Sequence, residues 1–382
     1  MKQLQLIATS PMGLEAVVAR ELKELGYHDL RVENGRVNFT GGPADICRTN
    51  LWMRTAGRIL INMGQFKATT FEELFEGTKA LDWPEWIPED GEFPVNGRSH
   101  KSQLSSVPAC QKIVKKAVVE KMKDRYGTEW FQEDGGKYVI EVSILNDEAL
   151  LTLDTSGAGL HKRGYRLAST EAPIRESMAA ALIQLSRWRP ERPFYDPFCG
   201  SGTFLVEAAM IGWNIAPGIR RNFNSEGWGN VPEALWNEAR EEAYDSVKDD
   251  IPLQIAGSDI DPHSIDIAEA AIRRAGFAKD IKLSVLPVSK VKPQGDYGVI
   301  ITNPPYGERL GDEIEAEAAI RQFGLTTLHY PTWSVFAITP SLKVEHYMGR
   351  PADKKRKLFN GRIQCEYYQF FGPLPPREKR ND

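Results

Sequence analysis

Cysteine is scarce in this chain of 382 residues: Cys47, Cys110, Cys199 and Cys365 are its only four, and no C-x-x-C pair occurs. That scatter excludes a disulfide framework and a zinc knuckle. His263 and His329 have no partners at ligand spacing, so no metal is expected. Long apolar runs are missing too; none approaches the ~18 residues of a membrane span. The amino-terminal stretch MKQLQLIATSPMGLEAV has Gln, Ser and Pro where a signal peptide would have its apolar core. A reducing, cytoplasmic location is the expectation, with no membrane partner. Nor is there an excess of positive charge. Lys and Arg number 48 against 52 Asp and Glu, a net charge of −4, which excludes a globally basic nucleic-acid binder. Hydrophobic residues, by contrast, are plentiful at 41%, and that excludes a disordered chain.

At about 150 residues per domain the length predicts two or three domains. Residues 1–160 read as small α+β units with antiparallel sheets. Leu4–Ala8 is a predicted strand, and Ser10-Pro11 leads into a helix carrying Val17, Val18, Leu22 and Leu25, stopped by Gly26. Arg31–Phe39 alternates as one strand, Ala44–Trp52 is a short helix, Gly57–Phe66 a strand and 70–79 a helix. Phe93–Asn96 is extended, Val107–Lys123 helical, and Tyr138–Leu145 with Leu150–Asp154 forms a hairpin. Thr155-Ser156-Gly157-Ala158-Gly159 is small, flexible and without apolar periodicity, and marks the boundary. Beyond it strands and helices alternate: Pro193–Asp196, Thr203–Ile211, Leu253–Ser258, Ser264–Ala275, Ile281–Leu286 and Tyr297–Thr302. The last two are the near-continuous apolar runs of buried parallel strands, and the alternation predicts a doubly wound, mostly parallel sheet.

Three turns in this second half carry chemistry. Asp196-Pro197-Phe198-Cys199-Gly200-Ser201-Gly202-Thr203 stands where a strand becomes a helix. Its glycines admit a ligand close to the backbone. It lacks the lysine of a phosphate loop and the spacing of G-x-G-x-x-G. A carboxylate at its tip repels a pyrophosphate and attracts an ammonium group. Cys199 is read as a small residue of this loop and not as a nucleophile. The next predicted strand ends in Ser258-Asp259-Ile260-Asp261, an acidic tip of the kind that bonds ribose hydroxyls. In order and on successive strands, the two turns point to a nucleoside cofactor bearing a positive group, a description S-adenosylmethionine meets. Third, Tyr297–Thr302 runs into Asn303-Pro304-Pro305-Tyr306. The Asn303 amide oxygen and the Pro304 carbonyl are placed to accept from one planar amino group, and Tyr306 offers a face for base stacking. This turn alone does not separate a nucleic-acid amine from a protein glutamine amide.

With these residues the chain resembles the class I S-adenosylmethionine-dependent methyltransferases, and more narrowly the THUMP-domain-containing RNA guanine-N2-methyltransferases of the RlmL type, which act on 23S rRNA. Besides the three turns, the resemblance rests on Asp154–Gly157, Leu160–Arg166, Ala172–Ser177 and the run Asn303–Leu310, and it covers nearly the whole chain. It implies a ferredoxin-like segment over 1–43, a THUMP RNA-binding domain over 44–155, a linker over 156–164 and a Rossmann-like methyltransferase domain over 165–372; the stretch after Phe371, GPLPPREKRND, reads by itself as a disordered tail over 373–382. It implies a cofactor site of Asp196, Phe198, Gly200, Gly202, Thr203, Asp259 and Ile260. Ser289 stands where many relatives have an adenine-binding Asp. The target guanine falls to Asn303, Pro304, Pro305 and Tyr306. The rival substrates are a tRNA guanine and a protein glutamine. A non-catalytic RNA-binding or ribosome-assembly factor is the alternative from another class.

Between Arg98 and Arg125 stand eight Lys and Arg against Glu120 and Asp124. Arg98, Lys101, Lys112, Lys115 and Lys116 are therefore the candidate RNA contacts of a chain expected to act as a monomer. His161-Lys162-Arg163 and Lys354-Lys355-Arg356-Lys357 are further basic patches, and Trp228, in a polar loop, is a candidate cover for the active site.

Overall fold

A computed structural model describes residues 3–166, 173–306 and 312–376. The chain forms two compact units, and neither is one continuous stretch. The first takes the described residues up to Ser10, then 18–160 and 218–245; the second takes 11–17, 161–217 and 246 onward. The span 165–372 expected of the methyltransferase domain thus includes residues 218–245, which pack with the first unit. Residues 218–245 carry Phe223, Trp228, Val231 and Trp236, all buried in the first unit's core beside Trp86 and Tyr138. Pro11–Val17 brings Leu14 and Val17 into the second unit's core.

The first unit is built on β1 (Leu4–Thr9), β2 (Arg31–Glu33), β3 (Arg36–Gly41), β4 (Ile59–Lys67), β5 (Val95–His100), β6 (Val139–Leu145) and β7 (Glu148–Asp154), ordered β2-β3-β1-β4-β7-β6-β5. Its helices are α1 (Glu15–Glu24, reaching into 11–17), α2 (Pro43–Trp52), α3 (Phe71–Lys79) and α4 (Val107–Tyr126). Two expectations change here. Arg31–Phe39 is two strands, because Asn34-Gly35 turns the chain with Gly35 at φ +76°. And β5 pairs with β6 in parallel, a departure from the antiparallel pairing of the other strands in this sheet. The hairpin β6–β7 turns at Asn146-Asp147, both at positive φ as a two-residue turn requires. Thr70 and Glu73 close a capping box at the start of α3, with Thr70 Oγ1 accepting from the Glu73 amide at 3.1 Å.

The boundary segment is firmly held where looseness was expected. The Ser156 hydroxyl donates to Asn50 Oδ1 at 2.6 Å and accepts from the Ile59 amide, while Asn50 Nδ2 donates to Thr155 Oγ1 at 2.8 Å. Small hydroxyl residues serve there as buried hydrogen-bonding groups, not as a hinge.

The second unit holds α5 (Glu176–Ser186), β8 (Phe194–Asp196), α6 (Thr203–Gly212), β9 (Ile255–Asp259), α8 (Pro262–Ala275), β10 (Ile281–Val285), β11 (Val299–Thr302), α9 (Asp312–Thr327), β12 (Ser334–Thr339), α10 (Val344–Tyr347), β13 (Lys354–Asn360) and β14 (Ile363–Phe370); α7 (Glu233–Asp245) belongs to the first unit. The strand order is β10-β9-β8-β11-β12-β14-β13. Strands β8 to β12 are parallel and the β13–β14 hairpin closes one edge antiparallel. Strands β11 and β12 are buried throughout, as apolar runs in a two-sided sheet must be. Strand order reverses between β8 and β11, so the carboxyl ends of these two strands flank the crevice where doubly wound folds bind ligands.

Candidate active site

Four strand ends converge on that crevice. Asp196 ends β8 and is 1% exposed. Its Oδ1 accepts from the Phe198 amide at 3.1 Å and from the Thr302 hydroxyl, on neighbouring β11, at 2.6 Å. Burial pushes its carboxyl up to about 7, against the opposing pull of those two hydrogen bonds. The chain then turns through Gly200 and Gly202 at φ +48° and +76°, left-handed positions that only glycine adopts cheaply. A Cβ on Gly202 would also stand 3.2 Å from Ala268 on α8.

Asp259, at the end of β9, is half-buried, and burial raises its carboxyl as well. It accepts from the Gly200 amide at 3.0 Å and the Asp261 amide at 3.1 Å, so the glycine turn and the acidic turn form one hydrogen-bonded rim. Asp261 caps α8, taking the His263 and Ser264 amides. Ile260 between them is 69% exposed, an apolar side chain held out at a strand tip. Phe198 is half-buried with its ring edge-on to Phe323. Ser289 is exposed on a short turn after β10, and the Leu286 amide beside it bonds the Asp259 carbonyl at 2.9 Å. Thr203 opens α6, buried, and its Oγ1 accepts from Arg166 Nη2 at 2.7 Å.

Beyond β11 lies the third turn. Asn303 and Tyr306 are half-buried, Pro304 is buried and Pro305 exposed. The Tyr306 hydroxyl donates to Asn303 Oδ1 and accepts from Asn360 Nδ2, at the end of β13, at 3.3 Å. Cys365 Sγ on β14 lies 3.7 Å from the same hydroxyl. The sequence presented Asn303 and Tyr306 as two independent tools; in the structure one orients the other, and the hydroxyl is tied inward. Gly307–Leu310 of the run that carried the resemblance, Ala172, and the last residues of the tail, 377–382, lie outside the described residues.

Other expectations meet different outcomes. Trp228 covers no active site: it stacks on Tyr138 with ring centres 4.7 Å apart, and its indole nitrogen donates to the Lys137 carbonyl. Arg163 is no surface patch. It is buried with its Nε 3.4 Å from Glu207 Oε1, which also accepts from the Tyr165 hydroxyl. On α4, Lys112 and Lys116 are exposed, as are Arg98 and Lys101. Lys115 is corrected as a free cation. Its ammonium bonds Glu133 at 2.6 Å and the Phe93 carbonyl at 3.0 Å, and sits 3.5 Å from the Phe93 ring centre. Thr302 and Asn360 escaped the sequence reading. Nothing in the sequence signals either, because the first looks like one more buried strand residue and the second lies 54 residues from the tyrosine it holds.

A seven-stranded, doubly wound sheet with an Asp–Gly turn, an acidic second tip and an Asn-Pro-Pro-Tyr turn defines a methyltransferase of the class I fold. Three family profiles match the chain: an RMKL-like methyltransferase domain over residues 163–369, an RlmL ferredoxin-like domain over 5–60, and a THUMP domain over 68–154. Putative RNA methyltransferase YpsC of Bacillus subtilis is 50% identical, with both chains covered in full. A solved protein of Listeria monocytogenes, described as a predicted N6-adenine-specific DNA methylase, is 51% identical and superposes with a TM-score of 0.93 over 98% of this chain and 97% of its own. SMU.472, a putative methyltransferase solved in complex with SAH, is 46% identical with a TM-score of 0.93 over 98% and 100%. The chain belongs to the RMKL-like methyltransferase family, with the ferredoxin-like and THUMP domains preceding its methyltransferase domain.

Fold and family imply S-adenosylmethionine as the methyl donor, and the residues present fit it. The buried carboxyl of Asp196 is one whose ionised form an ammonium group would favour, the glycine turn leaves room for close approach, and Asp259 keeps lone pairs for ribose hydroxyls. Among the described residues no helix is long and apolar enough to cross a membrane, and no group of three His, Cys, Asp or Glu side chains is placed to hold a metal ion.

Proposed function

We propose that this methyltransferase acts on the exocyclic N2 amine of a guanine in RNA, the guanine lying in 23S rRNA. The coarser statement, a S-adenosylmethionine-dependent RNA methyltransferase, rests on family membership and the THUMP domain. The Asn303–Tyr306 turn, bonded through Thr302 to the cofactor-side carboxylate of Asp196, supports a planar amino group as the acceptor. The observation that favours a guanine of 23S rRNA over other such amines is the pairing of that turn with the RlmL ferredoxin-like and THUMP domains.

S-adenosylmethionine supplies an activated methyl group on a sulfonium centre. What remains for the protein is the acceptor, and an exocyclic amine is a poor nucleophile because its lone pair is delocalised into the ring. Asn303 Oδ1 and the Pro304 carbonyl accept the two amine protons and favour a pyramidal nitrogen with its lone pair free. The Tyr306 hydroxyl occupies one lone pair of Oδ1 and fixes the amide so that oxygen is the end held in place. The ring of Tyr306 stacks on the base, an interaction worth ~1–3 kcal/mol in single-strand binders. Asp196 receives the cofactor's ammonium, Asp259 the ribose, and Phe198, Ile260 and Ser289 surround the adenine; the buried Thr203 acts through Arg166. A guanine paired in its RNA is first flipped out or its helix opened. Arg98, Lys101, Lys112 and Lys116 take phosphates, while Lys115 on α4 is occupied by Glu133 and the Phe93 carbonyl. The enzyme acts as a cytoplasmic monomer, a compartment that suits its four buried free thiols.

The test is mass-spectrometric mapping of 2-methylguanosine in rRNA and tRNA from a strain lacking the protein. One 23S position loses the mark, the wild-type gene restores it and Asn303→Ala does not. Loss confined to tRNA moves the substrate there. A strain that keeps every 2-methylguanosine, or that loses N6-methyladenine from its DNA, overturns the reading.

A further inference from the structure

The densest basic stretch of the chain lies outside the THUMP domain. From Arg350 to Arg362 there are six Lys and Arg against one acidic residue, Asp353. The structure places most of this stretch on β13, the edge strand of the second unit's sheet. Three of the six cations are spoken for: Arg350 pairs with Asp353, Lys355 with Glu345 at 2.9 Å, and Arg356 donates to the Gly13 carbonyl. The other three, Lys354, Lys357 and Arg362, are exposed and make no ion pair among the described residues. Glu366 stands opposite Lys357 in register without reaching it. Phe359, 39% exposed, lies beside them with its ring centre 6.0 Å from the Lys357 ammonium.

The strand's alternation gives this surface its significance. Leu358 and Asn360 turn inward, and Asn360 donates to the Tyr306 hydroxyl at 3.3 Å. Phe359 and Lys357 turn outward from the same strand. The end of the basic strand is therefore one hydrogen bond from the turn that receives the target base. At a rise of about 3.3 Å per residue, Lys357 stands roughly 10 Å and Lys354 roughly 20 Å back along the strand from Asn360. That is the reach of the nucleotides flanking a base held at Asn303.

We propose that the exposed edge formed by β13, with Lys357 and Phe359 on its outer face, Lys354 at its exposed start and Arg362 in the turn that follows it, is a second RNA-binding surface that grips the strand next to the target nucleotide. The three cations take backbone phosphates, and Phe359 offers an unpaired base a stacking face. The inference rests on the RNA reading given above. Its rival is that lysines on an edge strand only keep it from pairing with another sheet.

The experiment compares the full-length protein with the triple variant Lys354→Gln, Lys357→Gln, Arg362→Gln, and with the charge-keeping Lys354→Arg, Lys357→Arg, Arg362→Lys. The probe is a fluorescein-labelled RNA hairpin, titrated over a range of salt; S-adenosylmethionine binding and a thermal melt establish that each variant is folded. Three single-strand phosphate contacts contribute about 2 to the slope of log affinity against log salt. Between 50 and 200 mM salt the wild type should accordingly lose about 20-fold more affinity than the glutamine variant. The charge-keeping variant should follow the wild type. In methylation assays the glutamine variant should raise KM for RNA and leave kcat and the methylated position unchanged. An unaltered salt slope overturns the proposal, and aggregation with an unaltered slope assigns the lysines to edge protection. If the wild type binds the hairpin and the slope falls as stated, yet no RNA is methylated, the surface stands and the proposed reaction falls.

Discussion

Asp196 carries the sharpest consequence at the scale of single residues. It is an acid held near pH 7 by burial, where an unperturbed aspartate ionises near 4. In the folded protein it keeps a proton that the unfolded chain has already released at pH 5 to 6. Its contribution to stability is fully present below about 4 and is lost as pH rises through about 7. The melting temperature should therefore fall between pH 5 and 8 more steeply in the wild type than in Asp196→Asn; parallel slopes would refute the assignment. Cofactor affinity runs the other way, because an ammonium ligand favours the ionised carboxylate. Calorimetry should find S-adenosylmethionine binding tighter at pH 8 than at pH 6 in the wild type, and nearly flat in the variant. Asn303→Ala, measured at fixed pH, should lower kcat by 100-fold or more, of the size seen when one positioned donor or acceptor is lost from an active site (about 2.7–4 kcal/mol). Cofactor and RNA binding should be kept. Residues 196, 259 and 303 were legible as chemistry because each is a polar side chain at the tip of an apolar strand. Thr302 and Asn360 were not, since their roles arise only when β8 meets β11 and β13 meets the Tyr306 turn.

Among the elements, α6 and the segment before α5 are joined by a pair that sequence reading mistook for a surface charge. Arg163 and Glu207 are both buried, and Tyr165 shares the carboxylate. Breaking such a pair leaves one buried charge unanswered, at a cost of about 3–5 kcal/mol. Arg163→Ala should lower the unfolding free energy by that amount, measured by urea unfolding followed by tryptophan fluorescence. The neighbouring patch residue Lys162→Ala should stay within about 0.5 kcal/mol, as surface substitutions do. A basic run in the sequence does not tell which of its members points inward; the partner, Glu207, sits mid-helix among Phe204, Leu205, Val206 and Ala208 and has no local mark of being paired. Elements whose signals are local were readable: the β6–β7 hairpin and the helices α3 and α8 sit within two residues of where the sequence predicts them. Parallel pairing of β5 with β6 was not, because the connection through α4 decides it.

At the scale of the whole molecule, the boundary between the units is a matter of which core a side chain joins, and chain order is a poor guide to it. A Thr-Ser-Gly stretch reads as a hinge by composition, yet Asn50, Ile59 and Arg221 bond it in place within the first unit. Residues 218–245 read as part of the catalytic half by position, yet Trp228 and Trp236 are each 2% exposed in the core that holds Trp86, Tyr138 and Phe223. Burying two indoles, at 150–250 Å² each and ~25 cal/mol per Å², contributes roughly 10 kcal/mol. That equals the whole net stability of an ordinary domain, about 5–15 kcal/mol. A fragment of residues 1–160 should therefore lack a cooperative melt and bind a hydrophobic dye, for it leaves Trp86 and Tyr138 without the rings they pack on. Residues 218–245 joined to it through a flexible linker should restore a two-state transition. The same fusion carrying Trp228→Ala and Trp236→Ala should not. A fragment 1–160 that melts cooperatively on its own would mean that the THUMP-containing unit closes its core without the inserted helix, and that α7 is an accessory to the fold instead of part of it.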